Sequence, residues 1–158
     1  MENFIIREAD RSDIGLILDF IKKLAEYEKM LDQVVADTAV LDSWLFEKNI
    51  ARVFFVMEGE KEVGFALFFH NFSTFLGRAG IYLEDLYVLP EYRGRGYGKA
   101  LLQKLARTAV ELGCGRLEWS CLDWNTPSIE FYRSLGAVSM DGWTGFRLTG
   151  EALENMAK

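Results

Sequence analysis

Residues 82–102 read YLEDLYVLPEYRGRGYGKALL: an apolar run stopped by Pro90, three glycines alternating with larger residues, then the start of a helical repeat. Gly94, Gly96 and Gly98 let the backbone take positive φ and approach a ligand closely. A strand feeding such a run into a helix N-terminus presents unpaired N–H groups at the positive end of the helix dipole. With Arg93, Arg95 and Lys99 around it, the segment is expected to cradle an anion, and a pyrophosphate is the natural guest. Other phosphate motifs fail on spacing. A Walker loop requires Ser or Thr after its lysine, where Ala100 stands, and a dinucleotide fingerprint requires one more residue between Gly96 and Gly98. On these residues alone, a flexible connection with a helix cap remains the alternative.

Working outward, FIIRE (4–8) reads as a strand, and Asp10 to Asp13 supply caps for a helix whose Ile14, Ile17, Leu18, Ile21, Leu24 and Ala25 form one stripe, fraying near Glu28 to Met30. Asp37 or Thr38 caps a second helix with Val40, Leu41, Trp44 and Leu45 as its buried side. VFFVME and VGFALFF around Gly59-Glu60-Lys61-Glu62 predict a hairpin, and IYLEDLYVLP predicts a third strand of that group. Tyr97 to Leu112 is helical and closed by Gly113; RLEWSCL is a strand; Thr126-Pro127 opens a helix ending at Gly136; WTGFRLTG is a last strand. The order β, α, α, β, β, β, α, β, α, β predicts an α/β (α+β) fold, with one mixed, largely antiparallel sheet flanked by helices.

The 158 residues are expected to form one domain, 1–158. Lys and Arg total 18 against 24 Asp and Glu, a net charge of -6 without a basic tail, so no nucleic-acid partner is expected. Cys114 and Cys121 form no C-x-x-C pair and lie away in sequence from the single His70, so no metal site is expected. The opening MENFIIREADRSD has neither a signal peptide's apolar stretch nor a membrane span, which predicts a cytoplasmic protein with reduced thiols and no membrane partner.

Arg93-Gly94-Arg95-Gly96-Tyr97-Gly98 resembles the acetyl-CoA-binding signature of the GNAT N-acetyltransferases: Arg or Gln, two residues, Gly, one residue, Gly or Ala. LAEYEKM (24–30), DWNTPSIEFYRSLGA (123–137) and GWTGFRL (142–148) are similar to segments of the diamine (spermidine/spermine) and thialysine acetyltransferase branch. The resemblance implies a GNAT fold with a twisted sheet and splayed central strands, and acetyl-CoA as co-substrate. It further implies that a bulge precedes the glycine loop and that the backbone of Leu86, Tyr87 and Val88 pairs with the pantetheine arm.

The same resemblance assigns the loop residues Arg93, Gly94, Arg95, Gly96, Tyr97, Gly98 and Lys99, together with Asn125, Ser128 and Tyr132, to coenzyme A. Glu84 matches the base, Tyr132 the acid that protonates the departing thiolate, and Leu86 N–H a donor to the oxyanion. Tyr27, Glu28, Glu84, Glu118, Trp119 and Ser120 correspond to positions that contact the acceptor. In a regular strand Asp85 would point to the face opposite Glu84, an assignment that a bulge would change. From the residues alone, Glu84 reads equally as a solvated strand residue and Tyr132 as a core aromatic.

An acceptor amine is almost wholly protonated at neutral pH, its pKa being near ~10.4, so attack on a thioester needs a base. The expected activity is acetyl transfer to a primary amine of a small cation, a polyamine or thialysine-like amino acid, by a homodimer. The alternatives are acetylation of protein or peptide amines and a non-catalytic acyl-CoA sensor.

Overall fold

Strands and helices follow one another along the chain as the apolar residues change between helical and two-residue spacing, with β-rich runs grouped in the middle. The computed structural model describes residues 3–158. Residues 1 and 2, where the expected domain begins, lie outside the described residues. The chain divides into two compact units, Met1–Ser120 and Cys121–Lys158.

In the first unit β1 (Phe4–Glu8) is followed by a capping box in which Asp10 and Asp13 each accept from the other's backbone N–H, and α1 (Ile14–Tyr27) starts there. Arg7 fixes the same turn by a forked pair to Asp13, 2.9 Å on each arm. α2 (Thr38–Asp42), capped by Asp37, runs into a π-helical turn at Ser43–Glu47. Next come β2 (Arg52–Glu58), β3 (Lys61–Ser73), β4 (Arg78–Val88), α3 (Tyr97–Glu111) and β5 (Leu117–Trp119).

The sheet order is β1-β2-β3-β4-β5, antiparallel except for the parallel β4–β5 pair. The turn between β2 and β3 is Gly59-Glu60, with Gly59 at φ +63°. Phe55, Phe65, Leu67, Tyr87 and Leu89 of one face pack against Ile17 and Phe20 of α1. Phe20 lies 5.1 Å from Phe65 between ring centroids. The other face carries Phe54 and Phe68, with Lys104 of α3 over the Phe54 ring. Leu101 and Leu105 of α3 are fully buried.

Several expectations need correction. Val40 and Trp44 are half exposed, while Leu45, in the π-helical turn that follows α2, is buried. In the second unit α4 (Thr126–Ser134) is capped by Asn125, one residue before the expected Thr126. WTGFRLTG forms no strand: Trp143 is 79% and Phe146 94% exposed, and no neighbouring strand pairs with it among the described residues. Its alternating pattern fits a pleat, but a strand requires a partner for its N–H and C=O groups. The chain ends instead in α5 (Gly150–Met156), too short to show periodicity in the sequence.

Gly64 of β3 is tightly enclosed: a Cβ there would meet Val56 Cγ1 at 2.9 Å, Tyr87 O at 3.0 Å and Val88 Cγ2 at 3.1 Å. The Tyr87 carbonyl is held in the ladder and cannot give way. Gly64→Ala is therefore expected to lower stability by about 1–3 kcal/mol, through overpacking. Urea unfolding checks this, and an unchanged midpoint would refute it.

Candidate active site

Strand β4 carries the site's geometry through a single extra residue. Phe68 pairs with Leu83 and Leu67 pairs with Asp85, so Glu84 has no partner across the ladder and forms a bulge. Leu83, opposite Phe68, faces α3; Asp85, opposite Leu67, faces α1. Asp85 therefore lies on the α1 side, where Glu28 follows the last residue of that helix. The regular-strand expectation for Asp85 is corrected by this bulge.

Glu28, Glu84 and Asp85 form one acidic group. Burial first, then the charges of Glu84 and Glu28, push the Asp85 carboxyl up to about 7. Burial, followed by the charge of Glu84, also raises Glu28 above the usual carboxylate range. The same face continues toward β5, where Glu118 stands opposite Tyr82 and accepts from Asn71 Nδ2 at 3.1 Å. The Tyr82 hydroxyl hydrogen-bonds Ser120 Oγ at 2.7 Å. Trp119, paired with Leu83, belongs to the α3 face. Thus Glu118 and Ser120 share the acidic face with Tyr82, whereas Trp119 does not. Asn71 and Tyr82 were not singled out from the sequence, and Asp85 was named there only for the face it would take: partners brought together by strand order carry no local signal.

The bulge also reverses which backbone groups point outward. Ile81 N–H donates across to Arg116 O beside β5, but Leu89 N–H donates to Val63 O in β3. Alternation then turns the N–H and C=O groups of Leu86 and Val88 away from β3. On that side β5 pairs only with Ile81, Tyr82 and Leu83. The end of β4 is therefore an edge that β5 leaves unpaired, where an extended amide-bearing ligand can find main-chain partners beside the Val88 carbonyl that Arg93 already engages. Tyr87 turns its own backbone groups toward β3 and buries its ring in the α1-side core.

This edge leads into the glycine run. Gly94 has φ +78° and Gly96, the N-cap of α3, φ +85°, and a Cβ at either would meet nothing within 4 Å. Both glycines answer to backbone conformation rather than crowding, and the loop delivers the N-terminus of a 15-residue helix. Of its charged side chains, Arg95 bonds Glu58 at 2.9 Å and Lys99 is exposed. Arg93 Nε donates to Val88 O at 2.9 Å. Tyr97 is buried, its hydroxyl donating to Glu58 and its ring edge-on to Phe4, while Gly98 packs against Val88. Tyr27, the last residue of α1, stacks edge-to-face with Tyr87.

The second unit holds Asn125, Ser128 and Tyr132. Asn125 is buried and its carbonyl accepts from Ile129 N–H in the first turn of α4. Ser128 and Tyr132 are half-buried on α4, with the Tyr132 ring 5.6 Å from that of Phe131.

Residues 19–137 match the acetyltransferase (GNAT) family. The chain is 40% identical to a thialysine N-epsilon-acetyltransferase of Sus scrofa, over 99% of both proteins. It is 46% identical to an L-ornithine N5-acetyltransferase of Arabidopsis thaliana over 60% of this chain and 42% of that protein. Among solved structures, a Vibrio cholerae integron cassette protein superposes with a TM-score of 0.83 at 27% identity, covering 100% of this chain and 99% of the other.

The acidic group sets a pH dependence. An unfolded Asp titrates near ~3.9, and folding raises Asp85 to about 7. Between those values the folded state binds more protons than the unfolded state, so the contribution of Asp85 to stability falls as pH rises from about 4 to about 7 and is level above that. Asp85→Asn is expected to be more stable than the parent chain at pH 8 and to lose less stability between pH 5 and pH 8. Denaturant unfolding at both values checks this; equal losses would refute it.

Proposed function

Because the chain belongs to the GNAT family of N-acetyltransferases, we propose that it acetylates a primary amine of a small cation, a polyamine or a thialysine-like amino acid, by direct attack on acetyl-CoA. GNAT acetyltransferases use acetyl-CoA. The observation that carries the reading is the open edge at Leu86 and Val88, running into left-handed Gly94 and Gly96 at the head of α3. An arm with two amides fits such an edge, and a diphosphate fits the helix N-terminus beyond it. In this reading the loop from Arg93 to Lys99 binds through its backbone N–H groups, helped by the cations of Arg95 and Lys99, and Asn125 and Ser128 serve the same ligand.

The acceptor arrives as an ammonium ion. Glu28, Glu84 and Asp85, with Glu118, Ser120 and the ring of Tyr27, supply carboxylates and an aromatic face that favour a cation. Glu84 takes the amine's proton, through water where needed, and the neutral nitrogen attacks the thioester carbon. Leu86 N–H stabilises the developing oxyanion. The C–S bond then breaks and Tyr132 protonates the leaving thiolate; a phenol near pKa ~10 holds its proton at neutral pH. The relatives named for thialysine and ornithine acetylation support a small amine rather than a protein chain. We further propose a single functional domain across both units, a homodimer in solution, and a cytoplasmic location; no helix among the described residues is long and apolar enough to cross a membrane.

Steady-state acetyl transfer measured on polyamines, thialysine, lysine, ornithine and peptides tests the reading. Turnover is expected on one small amine well above any peptide; preference for peptides, or coenzyme A binding without turnover, would overturn it. Tyr132→Phe is expected to lower kcat by about 10²-fold or more while coenzyme A affinity changes little, the span ordinary for loss of a proton donor. Unchanged kcat would remove Tyr132 from that role. Glu84→Gln is expected to abolish the acidic limb of the kcat profile, and a retained limb near pH 7 would transfer the base role to Asp85.

A further inference from the structure

Arg93 opens the glycine run, yet its side chain folds back from it. Its Nε donates to Val88 O at 2.9 Å, and its guanidinium carbon lies 5.1 Å from the ring centroids of both Tyr27 and Tyr87. Those two rings meet edge-to-face with centroids 6.4 Å apart. One planar cation therefore touches the end of β4, its buried aromatic and the last residue of α1. A guanidinium can donate in its plane and stack on aromatic faces at the same time, which an ammonium cannot. Turning it toward a phosphate would forfeit all three contacts. Arg95 is engaged differently, within the loop and with β2: it forms an exposed pair with Glu58, donates to Glu91 O at 3.4 Å and lies 5.0 Å from the Tyr92 ring centroid, touching neither α1 nor the end of β4.

We propose that Arg93 is a positioning residue that ties the glycine loop to the C-terminal turn of α1, setting where Tyr27 and Glu28 stand, and is not a ligand of the cofactor phosphates. The proposal rests on the acetyltransferase reading above and deepens it. The turn it holds is a strained one: Lys29 has φ +62°, in the left-handed region that a lysine adopts only when its surroundings impose it. Glu28 lies between Tyr27 and that residue, and its carboxyl already feels the charge of Glu84. Loosening Tyr27 displaces Glu28 from the acidic group while leaving the backbone cradle at Gly94 to Gly98 intact. Any such coupling is reciprocal, so order imposed on the loop by one substrate passes to the other substrate's side through Arg93.

Arg93→Ala and Arg93→Lys are compared with the parent chain by hydrogen exchange without ligand, by titration with coenzyme A, and by turnover on the amine that the parent acetylates best. For R93A the amides of Glu28, Lys29 and Met30 are expected to exchange about tenfold faster with α3 unchanged, as local opening at an unsupported helix end allows. Amine KM is expected to rise about tenfold while the coenzyme A Kd stays within about twofold, and R93K, which lacks the planar fork, falls between. Unchanged exchange at Glu28 to Met30 overturns the proposal. So does an unchanged amine KM, or a loss of coenzyme A affinity as large as the rise in amine KM. If the parent acetylates no amine, the acetyltransferase reading fails, and the exchange result still decides whether Arg93 holds the turn.

Discussion

The pairing of β3 with β4 contains one residue too many on the β4 side, and most of the site follows from where that residue falls. Before Glu84, Ile81 and Leu83 face α3; after it, Asp85, Tyr87 and Leu89 face α1. Without the bulge the later residues would exchange faces. Asp85 would then enter the apolar layer beneath α3 and Tyr87 would leave the cluster around Phe20 and Phe65, and an unpaired carboxylate buried there would cost several kcal/mol. The hydrophobic pattern on both sides of Glu84 is satisfied only with the change of phase, so the core itself enforces the irregularity. The same change of phase turns the Leu86 and Val88 backbone groups outward, where β5 has already ended. Packing and ligand edge thus share one cause.

That arrangement concentrates like charge. Burial and the charge of Glu84 raise the proton affinity of Glu28, and burial with the charges of Glu84 and Glu28 pushes Asp85 up to about 7. Repulsion of this kind is relieved by a bound cation, so the binding of an ammonium and the release of a proton from the carboxyl group are linked events. A site built in this way discriminates by charge before shape: a neutral amide or hydroxyl in the same place would leave the carboxylates uncompensated. The overall charge of -6 acts in the same direction, drawing cations toward the surface from a distance set by the ionic strength.

The strands and the helices α1 and α3 were legible because they rest on short-range periodicity: FIIRE became β1 at the expected residues, and the capping signals at Asp10 and Asp37 fell where the helices begin. The glycine run was legible as a strand-to-helix connection for the same reason. The family resemblance brought the expectation of a bulge and a splayed strand, but its residue depends on a register between Leu67 and Asp85 that no local pattern encodes. Asn71 bonding Glu118 and Tyr82 bonding Ser120 are likewise products of strand order. WTGFRLTG marks the limit in the other direction. Its alternation is strand-like, but alternation specifies a face and says nothing about whether a neighbouring strand is present to pair with it.

The charges around the glycine run are already committed within the protein, and this determines what a phosphate can find there. Glu58 holds Arg95 and accepts from Tyr97, and Val88 O with two aromatic rings holds Arg93. Solvent screens the exposed Arg95–Glu58 pair, and Arg95 is further held by Glu91 O and the Tyr92 ring. Arg93 is held by a charge-assisted hydrogen bond and two ring faces, and these tie it to β4 and α1 rather than to β2. The loop therefore has two arginines engaged within the protein and an exposed lysine, around N–H groups whose direction is set by two left-handed glycines. In the proposed reading a diphosphate would be recognised chiefly by backbone shape, and the side chain that opens the motif would serve the amine side instead.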